Sequence, residues 1–87
     1  MDDKILSTKN LGIAFRAARK QKKLSQAAVG SAVGMAQHTI SAIEAGKPGT
    51  EIGTIFRVLA SLDLELVVRP RQKANNNEKI NNEKDSW

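Results

Sequence analysis

Apolar residues recur at helical spacing through most of the chain. Leu11, Ala14, Phe15 and Ala18 stand at i, i+3, i+4 and i+7, which predicts a helix from Asn10 that ends near Gln21–Lys23. Ser25 suits the cap of a second short helix with Ala28, Val29, Ala32 and Val33 on its apolar side. Gly34 stops that helix, because glycine accepts the left-handed conformation without a Cβ clash. A third helix, from about Ala36 to Ala45, turns Ile40 and Ile43 inward and ends at Gly46 and Pro48. Thr50 opens a fourth, with Ile52, Ile55, Phe56, Leu59 and Leu62 on one side.

The period changes after Asp63. Leu64-Glu65-Leu66-Val67-Val68 reads as a strand that Pro70 ends, and β-branched Val67 and Val68 favour it over a continuation of helix four, which the spacing of Leu59, Leu62 and Leu66 would also allow. A lone apolar strand leaves its backbone groups unpaired, so its expected partner is the same strand of a second copy, with Leu64, Leu66, Val67 and Val68 forming a homodimer interface. From Pro70 onward the chain is rich in Asn and charge, with Ile80 the lone large aliphatic residue before Trp87. Such a segment cannot bury enough surface to offset its ordering entropy. The expected layout is a flexible stretch over 1–9, a helical domain over 10–63, a dimerising strand over 64–69, and a disordered tail over 70–87.

Composition narrows the class. With aromatics at only 3% of the chain, the core has to be aliphatic, as in a small helical bundle. There is no cysteine and a single histidine, so neither a disulfide scaffold nor a zinc site is expected, and no cofactor. The acidic Met1-Asp2-Asp3 start and the short apolar runs point to a cytoplasmic protein with no membrane association. The net charge of +5 is concentrated between Lys4 and Lys47, where Lys4, Lys9, Arg16, Arg19, Lys20, Lys22, Lys23 and Lys47 face the single acid Glu44. Part of that charge suits the end of helix one, and the whole suits a polyanionic partner.

The stretch from Leu24 to Lys47 explains the bias. Two helices of about eight residues joined by a glycine turn make a helix-turn-helix, locked by Val29, Val33, Ile40 and Ile43. Its second helix begins with short polar side chains able to enter a major groove. The stretch resembles the phage-repressor type of helix-turn-helix, the Xre or Cro/C1 family, over roughly residues 10–62. The resemblance implies an all-α fold of four to five helices and DNA contacts from Ser25, Gln26, Gln37, His38, Thr39, Ser41 and Lys47. In it Gln26 bonds a phosphate, Gln37 takes the first base-reading position, His38, Thr39 and Ser41 hold the remaining base or phosphate contacts, and Lys47 meets the backbone. Arg19 and Glu44 match positions that form a structural ion pair in the family. Two departures stand out: Ala36 replaces the usual Ser or Thr cap of the reading helix, and Ala28 replaces the Glu that would complete a capping box.

The layout beyond residue 62 is similar to that of HipB-type antitoxins, on the strength of the lone strand, the polar tail and Trp87. That resemblance implies a homodimeric repressor of a toxin–antitoxin operon that binds an inverted-repeat double-stranded DNA operator. It also implies neutralisation of a HipA-like serine/threonine kinase toxin, with Trp87 docked in a pocket of the kinase. The rival reading is a stand-alone Xre-family regulator of the phage or restriction–modification controller type, with no toxin partner. Nothing in the sequence suggests an enzyme, since Ser31 and Ser41 have no base beside them and no phosphate-cradling loop is present.

Overall fold

The computed structural model describes residues 4–71, and within them the chain forms four helices: α1 (Thr8–Gln21), α2 (Gln26–Val33), α3 (Gln37–Glu44) and α4 (Ile52–Ser61). Helix α1 starts two residues before the expected Asn10. Ser7 is the cap, its Oγ accepting from the Asn10 backbone N–H at 3.0 Å, while Asn10 Oδ1 accepts from the Leu6 N–H at 3.2 Å. Asn10 stands where a capping box usually has Glu or Gln, and its Oδ1 takes the N–H of Leu6, the residue before the cap, in place of that of Ser7. Residues 4–9, expected to be flexible, are in part helix and in part cap; 1–3 lie outside the described residues.

Helices α1 and α4 are each followed by a left-handed residue that is not glycine. Lys23 has φ 59° after α1, and Asp63 has φ 56° after α4. The turn at Lys23 closes with the Leu24 N–H on the Arg19 carbonyl at 3.2 Å, and the one at Asp63 with the Leu64 N–H on the Leu59 carbonyl at 2.9 Å. The second of these rules out a continued helix four. Lys22 Nζ lies 2.8 Å from Asp63 Oδ2, tying the two turns together on the surface, and that bond holds the Asp63 carboxyl below its ordinary pKa.

The core is the mainly aliphatic cluster that the composition requires, with one aromatic ring: Phe15, Ala18, Val29, Val33, Ile40, Ile43, Ile55, Val58, Leu59 and Leu62, with Leu11, Met35 and Leu64 packed against it. Helix α3 packs on both α1 and α2, and α4 packs on α2. Gly12 makes the first of these contacts possible, since a Cβ there would stand 2.5 Å from the Ile43 carbonyl oxygen and 2.6 Å from that of Glu44. Any side chain at residue 12 would push α1 away from the end of α3.

Two apolar faces differ from expectation. On α4, Ile52 and Phe56 are 62% and 51% exposed, while Val58 is among the most buried residues of the molecule. Ile55, Val58, Leu59 and Leu62 already make a complete i, i+3, i+4, i+7 stripe, and Ile52 and Phe56 fall along its edge. On α2 the buried side is Val29, Gly30 and Val33, and Ala28 and Ala32 face outward. The segment Leu64–Val68 has no strand partner among the described residues and no regular secondary structure. Leu64 packs on the core, whereas Leu66, Val67 and Val68 lie open, Val68 at 93% exposure. The tail from 72 to 87, with Trp87, lies outside the described residues.

Candidate nucleic-acid interface

Helix α2 is finished at both ends by local chemistry. Ser25 Oγ accepts from the Ala28 N–H at 3.0 Å, and Gly34, at φ 72°, closes the far end in the left-handed conformation. Arg57 of α4 donates from Nη2 to the Val33 carbonyl at that same end. Helix α3 then leaves the turn from Ala36, whose backbone has cap geometry (φ −69°, ψ 150°) but whose side chain makes no capping bond. Its hold comes from beneath, through Ile40 and Ile43. That leaves Gln37, His38 and Ser41 exposed and Thr39 half-buried, so the leading turn of α3 presents a polar surface.

Behind this turn runs a connected polar network. Arg19 Nε lies 2.7 Å from Glu44 Oε2 and its Nη2 lies 3.0 Å from Oε1, a bidentate pair whose side chains are only 10% and 5% exposed. Arg19 Nη1 also donates to the Leu24 carbonyl at 2.8 Å, fixing the turn before α2. Gln26, the first residue of α2, donates from Nε2 to Glu44 Oε1 at 3.1 Å. Gln37, the first residue of α3, donates from Nε2 to Gln26 Oε1 at 3.4 Å. One continuous chain of bonds thus links α1, the start of α2 and both ends of α3.

The electrostatics follow from this geometry. Burial alone would push the Glu44 carboxyl up, but the bonds from Arg19 and Gln26 and the positive charges of Arg19 and Arg16 outweigh it, and its pKa lies below the ordinary value. Arg19 is held charged by its bond to Glu44, which outweighs its own desolvation. The acid in the middle of the basic stretch is therefore neutralised internally. Lys9, Arg16, Lys20, Lys23 and Lys47 remain exposed as positive charge.

The loop after α3 is pinned to α1. Thr8 Oγ1 donates to the Gly46 carbonyl at 2.7 Å, and the Lys47 N–H donates to the Ala42 carbonyl at 3.1 Å, which leaves the Lys47 side chain exposed beyond the end of α3. Of the residues named from the sequence, Gln26 and Gln37 are joined to each other directly, and His38, Thr39 and Ser41 share their helix with Gln37. Ser25 spends its Oγ on the cap of α2, and Lys47 sits in the pinned loop. Thr8 and Arg57 are positioning residues that sequence reasoning missed. Their partners are backbone carbonyls 38 and 24 residues away, and no local pattern reports such a pairing.

Comparison with known proteins agrees with this geometry. The HTH_3 helix-turn-helix family matches residues 15–68. An uncharacterized HTH-type transcriptional regulator, y4dL, of Sinorhizobium fredii (strain NBRC 101917 / NGR234) is 35% identical over 65 residues. That match covers 75% of this chain and 33% of the relative, so the chain spans about a third of that relative's length. Among solved structures, a variant of HipB in a complex with an O2 20mer superimposes with a TM-score of 0.77 at 30% identity, over 83% of this chain and 100% of that one. HipB in a HipA-HipB-O2-O3 complex gives 0.75 at 30% identity, over 82% and 100%. With its capped α2, glycine turn and outward-facing α3, the chain belongs to the Xre-type helix-turn-helix family of transcriptional regulators and is structurally similar to HipB.

Proposed function

We propose that the protein is a sequence-specific DNA-binding repressor of the HipB antitoxin type, which represses its own operon and neutralises a HipA-like serine/threonine kinase toxin. The observation that carries this reading is the polar leading turn of α3, exposed at Gln37, His38 and Ser41 and backed by the Arg19–Glu44–Gln26 network. A likeness to HipB over 82–83% of this chain, in structures solved with a 20mer and with HipA, supports the choice of type within the family. In this reading α3 enters the major groove and Gln37 reads adenine through its amide, with His38, Thr39 and Ser41 beside it. Exposed Lys47 and the basic residues of α1 supply the salt-dependent phosphate term.

The apolar segment Leu64, Leu66, Val67 and Val68, of which the last three lie open in the single chain, pairs with a second copy and sets two α3 helices on a two-fold axis. The operator is then an inverted repeat with half-sites about 34 Å apart, or a multiple of that. Trp87 of the tail anchors the kinase, as a buried aromatic anchor does at a protein interface.

Two binding measurements test the reading. Gln37→Ala should weaken binding to the protein's own promoter by about 1–3 kcal/mol and leave random DNA nearly unaffected. Equal losses on both would remove Gln37 from base reading. Deletion of Trp87 should abolish co-purification of the kinase while promoter binding persists. A chain that binds its promoter yet retains no kinase, with or without Trp87, is a stand-alone regulator of the same family.

A further inference from the structure

Helix α3 starts without a side-chain cap, because Ala36 brings no hydroxyl or carboxylate to its first turn. The entry of the chain into the helix is fixed instead by an apolar pair. Met35 stands immediately before the cap residue and Ile40 at the fourth helical position, the two places that a hydrophobic staple joins. Ile40 belongs to the core, and Met35 packs against it. The backbone of Met35 is pinned as well. Its N–H donates to the Gly30 carbonyl at 2.8 Å, and a Cβ at residue 30 would stand 2.6 Å from the Met35 carbonyl oxygen. The turn is therefore not free to shift to suit a changed side chain at residue 35.

The chain holds two methionines and no cysteine. Met1 lies outside the described residues, and Met35 is half-buried, so its side chain meets both the core and the solvent. We propose that Met35 is an oxidation site through which peroxide reversibly lowers the affinity of α3 for DNA. The inference rests on the reading of α3 as the helix that enters the groove. A lone pair of the thioether sulfur bonds one oxygen of hydrogen peroxide as the O–O bond breaks, and the other oxygen takes the displaced proton and leaves as water. Sulfur is oxidised by two electrons and the peroxide is reduced by two. The resulting sulfoxide is polar where the staple needs an apolar group, and burying its oxygen without a partner is unfavourable. With no side-chain cap at Ala36, the first turn of α3 then loses its fixed direction. A methionine sulfoxide reductase reverses the change: a dithiol becomes a disulfide, water is released, and the thioether returns.

The full chain, treated with hydrogen peroxide until mass spectrometry of its peptides shows one added oxygen on Met35, should bind its promoter about tenfold more weakly than before. Methionine sulfoxide reductase with dithiothreitol should restore the affinity. Met35→Leu keeps an apolar staple of similar volume, so it should bind like the parent and keep its affinity through the same treatment. An equal peroxide-induced loss in Met35→Leu overturns the proposal, because the sensitive group then lies elsewhere. So does a Met35 sulfoxide that binds the promoter as well as the thioether, or a Met35 that stays unoxidised while Met1 is fully converted.

Backbone amide signals supply a readout without DNA. In the isotope-labelled protein, oxidation should move the signals of Gln37, His38 and Thr39 in the parent and leave them in place in Met35→Leu. A parent that prefers no DNA sequence before treatment fails the reading of α3. Moved signals in that protein still uphold Met35 as an oxidation site that displaces the helix, and unmoved signals overturn it too.

Discussion

Helices α2 and α3 are each eight residues long and pack against one another, yet they are held by different means. Helix α2 has a side-chain cap at Ser25, a left-handed glycine at Gly34 and an arginine on its last carbonyl. Helix α3 has no side-chain cap at all; Ile40 and Ile43, at 2% and 4% exposure, hold its underside, and Glu44 holds its far end. The difference separates a frame from a probe. A helix completed at its own ends can serve as a fixed support, while one anchored from below and behind keeps its leading turn exposed for a ligand.

Removing the far-end anchor should have the largest effect. Glu44→Ala leaves the Arg19 guanidinium buried without its partner, and the expected loss is about 4 kcal/mol of folding stability, read as the shift in a denaturant midpoint. A loss near that of an exposed pair would mean that α3 is held by packing alone. The same anchor has a pH signature. Because the folded-state pKa of Glu44 is depressed, its contribution is complete above the ordinary carboxylate value of 4.5 and disappears as pH falls through the lower folded value. Glu44→Gln should therefore show a shallower loss of stability on the acid side than the parent protein. Arg19, pushed in the other direction, stays charged throughout that range.

The underside anchor comes next. Ile40 is among the largest fully buried side chains, and Ile40→Ala opens a gap in the core cluster at an expected cost of about 3 kcal/mol. Operator affinity measured on the folded fraction should fall as well, because α3 loses its fixed angle. If stability falls while affinity holds, the network behind Gln37 is enough to aim the helix.

How much of this contrast the sequence discloses follows from the range of each interaction. The Ser25 and Gly34 caps of α2 each bond partners within four residues, and both signals read correctly. Ile40 and Ile43 are likewise visible from their spacing. The start of α1 is placed two residues late because the apolar stripe begins only at Leu11, and the cap at Ser7 lies outside it. Ile52 and Phe56 are misread because a wide apolar face contains more candidates than the roughly 100° stripe that packing uses. The Gly12 approach and the Arg19–Glu44–Gln26 network join residues many positions apart, and nothing local encodes them. The resemblance to phage repressors points to Arg19 and Glu44 but leaves Gln26 as a phosphate ligand, its place in the network unseen.

The smallest effect sharpens the comparison from the side of the caps. Ser25→Ala should cost about 1 kcal/mol, since the Ala28 N–H loses its acceptor. The converse change, Ala36→Ser, installs on α3 the cap that α2 already has. Ala36 already has the backbone angles of a cap, so the new hydroxyl oxygen lies within reach of the Thr39 N–H without rearrangement. That N–H, however, already donates to the Ala36 carbonyl at 3.0 Å, so part of the usual gain is taken. The expected result is a stabilisation of about 0.5 kcal/mol, or roughly 2–4 °C in Tm for a domain of this size. A full 1 kcal/mol would show that the existing bond contributes little. A loss would show that the bare start of α3 is favourable as it stands, with the Thr39 N–H better placed on the Ala36 carbonyl than on a side chain.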